Sequence, residues 1–517
     1  MTTKSSAPGA VLAVLCLCAF AVNVDTTLVN VALPTLVREL DASTRELQWI
    51  VDAYTLAFAA LVLAAGSLGD RVGRREMLVA GLVVYGAGNA AAGFMESPGQ
   101  LVGARAIMGV GAAMIFPTTL SIIMNVFRER GPRAMAIGLW GATVGLAVAL
   151  GPIAGGALLE GLSWEWTFFV KVPVALAAIG VALAIVPTSR DPETPPLDLP
   201  GLLLSTAAIG VVVFAVIEAP EAGWGGAQTL GLLALGVALL VAFVAVERRT
   251  AAPMLDVGLF RNLRFSAASA AVTVAFFSLF GFIFLITQYF QFVRGYGPLE
   301  TGVRMLPVAT SVAFASIVGT RLTMRIGNKA VVATGLMLLS GGFLWISTIS
   351  AVTPYWEIAG QMVCLGLGMG FTSAPATESI MGAVSRHRAG IGSAVNDATR
   401  ELGGTLGVAV IGSVYASLYS GAFSNAGAVP APAVDAARES IGGALIAADR
   451  LPSAAGDVLR ELATSGFFDG LQVGCLVAAG VSAAGAIFAA AVLPSQPPEV
   501  AELDEGDLAL ATGEASA

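Results

Sequence analysis

The sequence predicts an all-α polytopic membrane protein with fourteen transmembrane helices. Three observations carry that prediction: the composition, the spacing of uncharged stretches, and the placement of positive charge. Of 517 residues, 56% are hydrophobic and 12% are Asp, Glu, Lys or Arg, with 61 glycines besides. Soluble chains carry roughly 25% charged residues, so this chain has too little polar surface to cover soluble domains. A net charge of −8 argues against a nucleic-acid partner, and the apolar content excludes a disordered chain.

A helix crosses a bilayer with about 20 mostly apolar residues. Such stretches lie near 10–37, 47–69, 77–95, 99–127, 134–159, 166–189, 199–217, 222–246, 265–293, 302–324, 330–350, 356–382, 390–419 and 467–493. The first is broken only by Asp25. It is too long and too late for a cleaved signal peptide and reads as a retained span. The tenth is the weakest, since Arg304 and Arg321 must snorkel to its ends. The glycines inside these stretches let helices pack closely in lipid.

With a cytoplasmic N-terminus, seventeen of the 27 Lys and Arg fall on the inner side and seven on the outer side. Three of those seven (Arg438, Arg450, Arg460) belong to one long loop, where the positive-inside rule has little force. The expectation is a protein of the inner membrane with both termini in the cytoplasm. The four cysteines all lie in apolar runs, and the single histidine, His387, sits between two arginines. Neither a disulfide framework nor a metal site is expected.

The loop after span 2 reads Leu68-Gly-Asp-Arg-Val-Gly-Arg-Arg75, and that after span 10 reads Leu322-Thr-Met-Arg-Ile-Gly-Asn-Lys329. The Arg128-Glu-Arg130 loop after span 4 likewise echoes Arg386-His-Arg388 after span 12. Both offsets equal eight spans. Two six-helix halves, spans 1–6 (residues 1–190) and 9–14 (264–493), with two inserted helices and a cytoplasmic loop between them (191–263), give that offset. The second half includes an extracellular loop, 420–466. The acidic tail, 494–517, is expected to be disordered. Repeated halves around a central site are a transporter architecture.

These motifs resemble the major facilitator superfamily, specifically its fourteen-helix drug:proton antiporter branch. Gly66-Ser-Leu-Gly-Asp-Arg-Val-Gly-Arg-Arg75 resembles the superfamily's loop 2–3 signature, and Arg105-Ala-Ile-Met-Gly-Val-Gly111 its span-4 motif. Gly145 through Gly151-Pro-Ile-Ala-Gly-Gly156 resembles the antiporter signature of span 5, and Asp25-Thr-Thr-Leu-Val-Asn-Val-Ala-Leu-Pro34 the branch's span-1 motif. The span-6 segment Trp164-Glu-Trp-Thr-Phe-Phe-Val-Lys171 departs from the family, where Arg and Asn are commoner at the Glu165 and Lys171 positions. The resemblance implies that Gly69, Asp70, Arg71, Gly73, Arg74 and Arg75 form a latch bonding across the two halves. It also implies that Gly145, Gly151, Pro152, Gly155 and Gly156 mark an exporter. Read alone, the first motif is equally a positive-inside turn.

Eight ionisable residues lie at membrane depth: Asp25, Asp52, Arg105, Lys171, Glu378, Asp397, Arg400 and Glu401. Each isolated charge near the midplane costs at least about 2.5–3.5 kcal/mol, so such groups pair or serve function. Asp25, nearest the middle of its span, is the first choice for proton coupling. Arg105 is expected to pair with Asp52 or Asp25, as a proton relay or as a satisfied ion pair. Asp397, Arg400 and Glu401 share a helix face at i, i+3 and i+4, where the arginine can neutralise one carboxylate. They read as a second proton or cation site, or as a structural cluster. Lys171 reads as snorkelling to the outer surface and Glu378 as structural.

Two glycine runs, at 86–91 and 366–370, imitate dinucleotide fingerprints but lie inside apolar spans with no preceding strand. No Walker sequence or nucleophile–base pair is visible. The expectation is therefore no enzyme and no cofactor, but a monomeric exporter of amphiphilic small molecules, cations among them, driven by the proton gradient; the alternatives are a lipid or metabolite exporter, an uncoupled facilitator on the same fold, or a non-transporting receptor or scaffold. The 420–466 loop, with an amphipathic segment around 433–447, reads as a cap over the outer mouth or a tolerated insertion; the second reading is preferred.

Overall fold

The computed structural model describes residues 8–127, 129–190, 198–251, 253, 255–384, 389–425 and 429–495. His387 and its flanking arginines, Arg128 and the acidic tail beyond 495 lie outside them. The first half comprises α1 (Pro8–Leu40), α2 (Thr44–Val72), α3 (Arg74–Ala92), α4 (Pro98–Val126), α5 (Arg130–Gly161), α6 (Trp166–Phe169) and α7 (Lys171–Ile185). The inserted pair is α8 (Leu199–Ala222) and α9 (Ala227–Glu247). The second half comprises α10 (Leu263–Gln288), α11 (Pro298–Arg304), α12 (Leu306–Ile326), α13 (Asn328–Ile346), α14 (Tyr355–Gly382), α15 (Ala389–Gly421), α16 (Ala431–Glu439), α17 (Ile441–Asp449) and α18 (Ser453–Val492).

Every apolar stretch read from the sequence falls on a helical passage, and eleven helices among the described residues are long and apolar enough to cross a membrane. Spans 6 and 10 each break into two helices, α6/α7 and α11/α12. Pro173 and Pro307 explain the breaks, because a proline cannot donate to, and clashes with, the carbonyl four residues earlier. Burial follows position. Only 17% of the most apolar stretch of α9 is buried inside the protein, against 67% for α1, so α9 faces lipid and α1 the interior.

The internal repeat extends beyond the matched loops. The helices α3 and α13 are both 19 residues long, and α4 and α14 each carry an internal proline, Pro117 and Pro375. A single glycine joins α2 to α3 and α12 to α13: Gly73 at φ 127° and Gly327 at φ 85°. Positive φ at these values is open to glycine and resisted by other residues. The N–H after each glycine is tied to the end of its own half: Arg74 donates to the Ser189 carbonyl at 3.0 Å, Asn328 to the Ser495 carbonyl at 3.1 Å.

The two halves meet along a seam at the α1–α2 end of the bundle, the outer end in the orientation expected from the sequence. Gln48 of α2 donates to the Val408 and Ala409 carbonyls (3.3 and 3.1 Å) and to Ser413 Oγ (3.1 Å) of α15. Thr405 donates to Thr55 at 2.8 Å, and Gln291 to the Val31 carbonyl at 2.9 Å. The inserted α8 lies over this seam: Val213, Val216 and Ile217 pack with Ala409, Trp49 and Leu56. Its outer end holds both halves, through Arg45 to Glu218 (3.2 Å) and Glu221 (2.6 Å) and through Trp224 to Ser417 (3.0 Å).

The 420–466 segment does not behave as a loose insertion. Its amphipathic stretch divides at Ser440, whose side chain accepts from Gly443 N–H and starts α17. Gly442 packs against Val37 and Phe292, and Thr44 donates to the Glu439 carbonyl at 2.9 Å. The segment therefore covers the outer seam across both halves. The 40 residues of α18 make about 60 Å of helix at 1.5 Å per residue, twice the hydrocarbon thickness, so its first turns stand outside the membrane.

Candidate functional site

Asp25 sits near the middle of α1 with its carboxylate turned into the first half. Arg105 of α4 pairs with Asp25 Oδ2, and Lys171 of α7 pairs with Asp25 Oδ1. All three are buried, Asp25 and Arg105 wholly and Lys171 to within 3%. Arg105 Nε donates to the Ile50 carbonyl at 2.8 Å, and its guanidinium lies 4.4 Å from the centroid of the Tyr54 ring. Tyr54 and Tyr85 brace α1 just before Asp25, donating to the Val22 and Ala21 carbonyls at 3.0 and 2.9 Å. Removing the Asp25 carboxylate would leave two buried cations uncompensated, a loss of about 3–5 kcal/mol.

One sequence expectation changes here and one open alternative is resolved. Lys171 does not snorkel outward; it turns inward to Asp25. Arg105 selects Asp25, and Asp52 lies elsewhere: its side chain is wholly buried on the α2 face that carries Gln48 and Thr55, with neither oxygen hydrogen-bonded among the described residues.

In α15, Asp397 is buried and receives a bond of 3.4 Å from Asn396. Glu401 is partly buried, with Oε2 unpartnered. Arg400 rests over the Phe276 ring at 4.9 Å and forms no direct ion pair with either carboxylate among the described residues. Glu378 is exposed.

The loop after α2 bonds within its own half. Asp70 and Arg74 pair at 2.7 Å, Arg75 and Glu76 at 2.9 Å, and Thr188 donates to Glu76 at 2.5 Å. Gly69 allows Thr118 and Met77 to approach closely, and Arg71 is exposed. No bond from this loop to the second half occurs among the described residues. The small residues of α5 serve both halves. Gly151 and Gly155 seat α5 on Thr27 and Leu28 of α1, while Gly156 lies against Pro298 and Leu299 of α11. Pro152 presents its carbonyl to Gly302 of α11. Gly145 lies on α5, with its surroundings outside the described residues.

A family model for the Major Facilitator Superfamily matches residues 15–408. The chain belongs to that superfamily. Among curated relatives, the multidrug efflux pump LfrA of Mycolicibacterium smegmatis is 36% identical over 90% of this chain and 93% of its own length. The puromycin resistance protein pur8 of Streptomyces alboniger is 35% identical over 80% of this chain and 83% of its own. A solved bacterial homologue of the human lysosomal transporter Spinster covers 96% of this chain and 100% of its own at TM-score 0.65 and 17% identity, a likeness of fold.

Within this major facilitator fold, sequence reasoning passed over Gln48, Tyr54, Tyr85 and Gln291. Each is a polar or phenolic group in an apolar span, and that was the signal available. For Lys171 the sequence does carry a signal, a cation placed where the family commonly has an amide, but not its partner.

Proposed function

We propose that this protein is a proton-coupled exporter that carries amphiphilic small molecules, cations among them, across the inner membrane. It acts as a monomer with both termini in the cytoplasm and without a nucleotide or other cofactor. The observation that carries this reading is the buried Asp25–Arg105–Lys171 cluster in the interior of the first half of a major facilitator fold. The efflux and resistance names of relatives that align over most of the chain support it.

The halves 1–190 and 264–493 rock about a central cavity, with 191–263 joining them. Asp25, Arg105, Asp52, Asp397 and Glu401 are the groups assigned to proton coupling. The outer seam closes one access state, and the loop from Gly69 to Arg75 latches the opposite one. One charge crossing 100 mV is worth about 2.3 kcal/mol and each tenfold gradient costs about 1.4 kcal/mol, so one proton sustains more than a tenfold gradient.

Reconstitution tests this. Proteoliposomes with an imposed pH gradient should accumulate the cationic dye ethidium against its own gradient, and nigericin should abolish the accumulation. Equilibration that ignores nigericin would make the protein an uncoupled facilitator.

A further inference from the structure

The chain contains three lysines, Lys4, Lys171 and Lys329, and one of them is buried in the charge cluster. The charged group facing Lys171 is Asp25 on α1, whose other carboxylate oxygen holds Arg105 of α4; the phenol Tyr54 of α2 lies against Arg105, and Tyr85 of α3 interacts electrostatically with it. Phe168 of α6 lies with its ring centroid 4.8 Å from Nζ. One acid therefore meets two cations, and the ionised cluster holds a net charge of +1 out of contact with solvent.

Three protonation changes are conceivable, and charge counting separates them. A proton added to Asp25 would leave two buried cations with no carboxylate between them. Arginine does not give up its proton in proteins. A proton removed from Lys171 leaves the neutral Arg105–Asp25 pair intact and ends the uncompensated charge. A lysine buried beside another cation is the side chain that loses its proton most readily in this setting.

We propose that Lys171 is the proton-exchanging group of the first half, and that its ammonium and a cationic substrate are alternative partners of Asp25. This rests on the reading of the protein as a proton-coupled exporter. With the site open to the cytoplasm, one N–H bond of the ammonium breaks, the electron pair stays on nitrogen and the proton passes to water. Asp25 Oδ1 is then free for the substrate cation, while Arg105 keeps Oδ2. With the site open outward, the amine takes a proton from water and displaces the substrate from Oδ1. Asp25 stays ionised throughout. The asparagine that is commoner at this position in the family has no proton to exchange.

The test uses the full-length protein in proteoliposomes with ethidium as probe. Lys171→Gln stands in for the neutral amine: it leaves Asp25 Oδ1 open to ethidium but has no proton to exchange. The ratio of gradient-driven accumulation to ethidium counterflow, which needs no net proton exchange, should fall at least tenfold. An unchanged ratio overturns the proposal. Should the variant lose both activities, the wild type decides: ¹⁵Nζ-lysine NMR of the solubilised protein yields three signals, and that of Lys171, identified by its absence in Lys171→Gln, should pass from ammonium to amine during a pH titration while the other two remain ammonium. Three ammonium signals throughout overturn the proposal. If wild-type transport ignores the pH gradient, the exporter reading fails, and the NMR titration still decides the role of Lys171.

Discussion

Gln48 of the first half faces three acceptors of the second, with Ser413 Oγ and the Ala409 carbonyl both at 3.1 Å and the Val408 carbonyl at 3.3 Å. One side-chain amide, wholly buried, thus fastens α2 to α15 on the outer side. Outward opening must break these bonds.

Gln48→Ala should therefore favour the outward-open state. Buried hydrogen bonds contribute about 0.5–1.5 kcal/mol each, and 1.4 kcal/mol is a factor of ten in population. Spin labels at Leu162 and Val352, both exposed at outer helix ends, report the separation. The population at long distances should rise severalfold in the variant. An unchanged distance distribution would mean that the seam is not the gate.

Gly156→Val should act on the same seam from α5. Its Cβ would meet the backbone of Pro298 and Leu299, which cannot swing aside as a side chain can. Overpacking of this kind costs about 1–3 kcal/mol. Substrate efflux should fall at least tenfold with membrane insertion intact, whereas Gly103→Ala, with open space at its Cβ, should leave efflux unchanged.

Gly73 tests the backbone requirement of the loop after α2. At φ 127° an alanine is strained by about 1–3 kcal/mol, and its Cβ would also collide with the Glu76 carboxylate. Gly73→Ala should lower the thermal midpoint in detergent by several degrees. A midpoint equal to that of Gly99→Ala, where nothing lies within 4 Å, would refute the strain argument.

Glu439, in the outer segment, carries a pH signature. Partial burial, then Glu46 and Glu221, push its carboxyl above the ordinary 4.5, with Arg45 opposing them. A carboxyl raised in the folded state stabilises docking below its unfolded value, and that contribution is lost as pH rises through the folded value. Amide protection of 431–449 should thus weaken as external pH rises above 4.5, and Glu439→Gln should flatten the dependence. Solvent screening keeps the effect small.

The fold was largely legible because lipid imposes length and polarity on every span, and because the repeat preserves its glycines. Gly73 and Gly327 stand at the same place in the two repeated loops, and both turn the chain at positive φ. Contacts between helices were not legible. Helical periodicity places Asp25 on a face but does not say which helix that face meets, so Lys171, 146 residues away, could be read as snorkelling. The pairing of Arg105 with Asp25 instead of Asp52 depends in the same way on how α1, α2 and α4 are rotated. The outer segment misled through its composition: Ala and Gly suggest a tolerated insertion, yet they are the residues that let α17 settle against Val37 and Phe292.

Proton movement on substrate addition tests the central claim most directly. A pH-sensitive dye sealed inside proteoliposomes, with no imposed gradient, should report a proton flux opposite to ethidium movement in the wild type. The flux should be lost in Asp25→Asn and reduced in Asp397→Asn or Glu401→Gln. Ethidium transport without proton movement, or the same flux in all three variants, would contradict proton-coupled export that depends on these carboxylates.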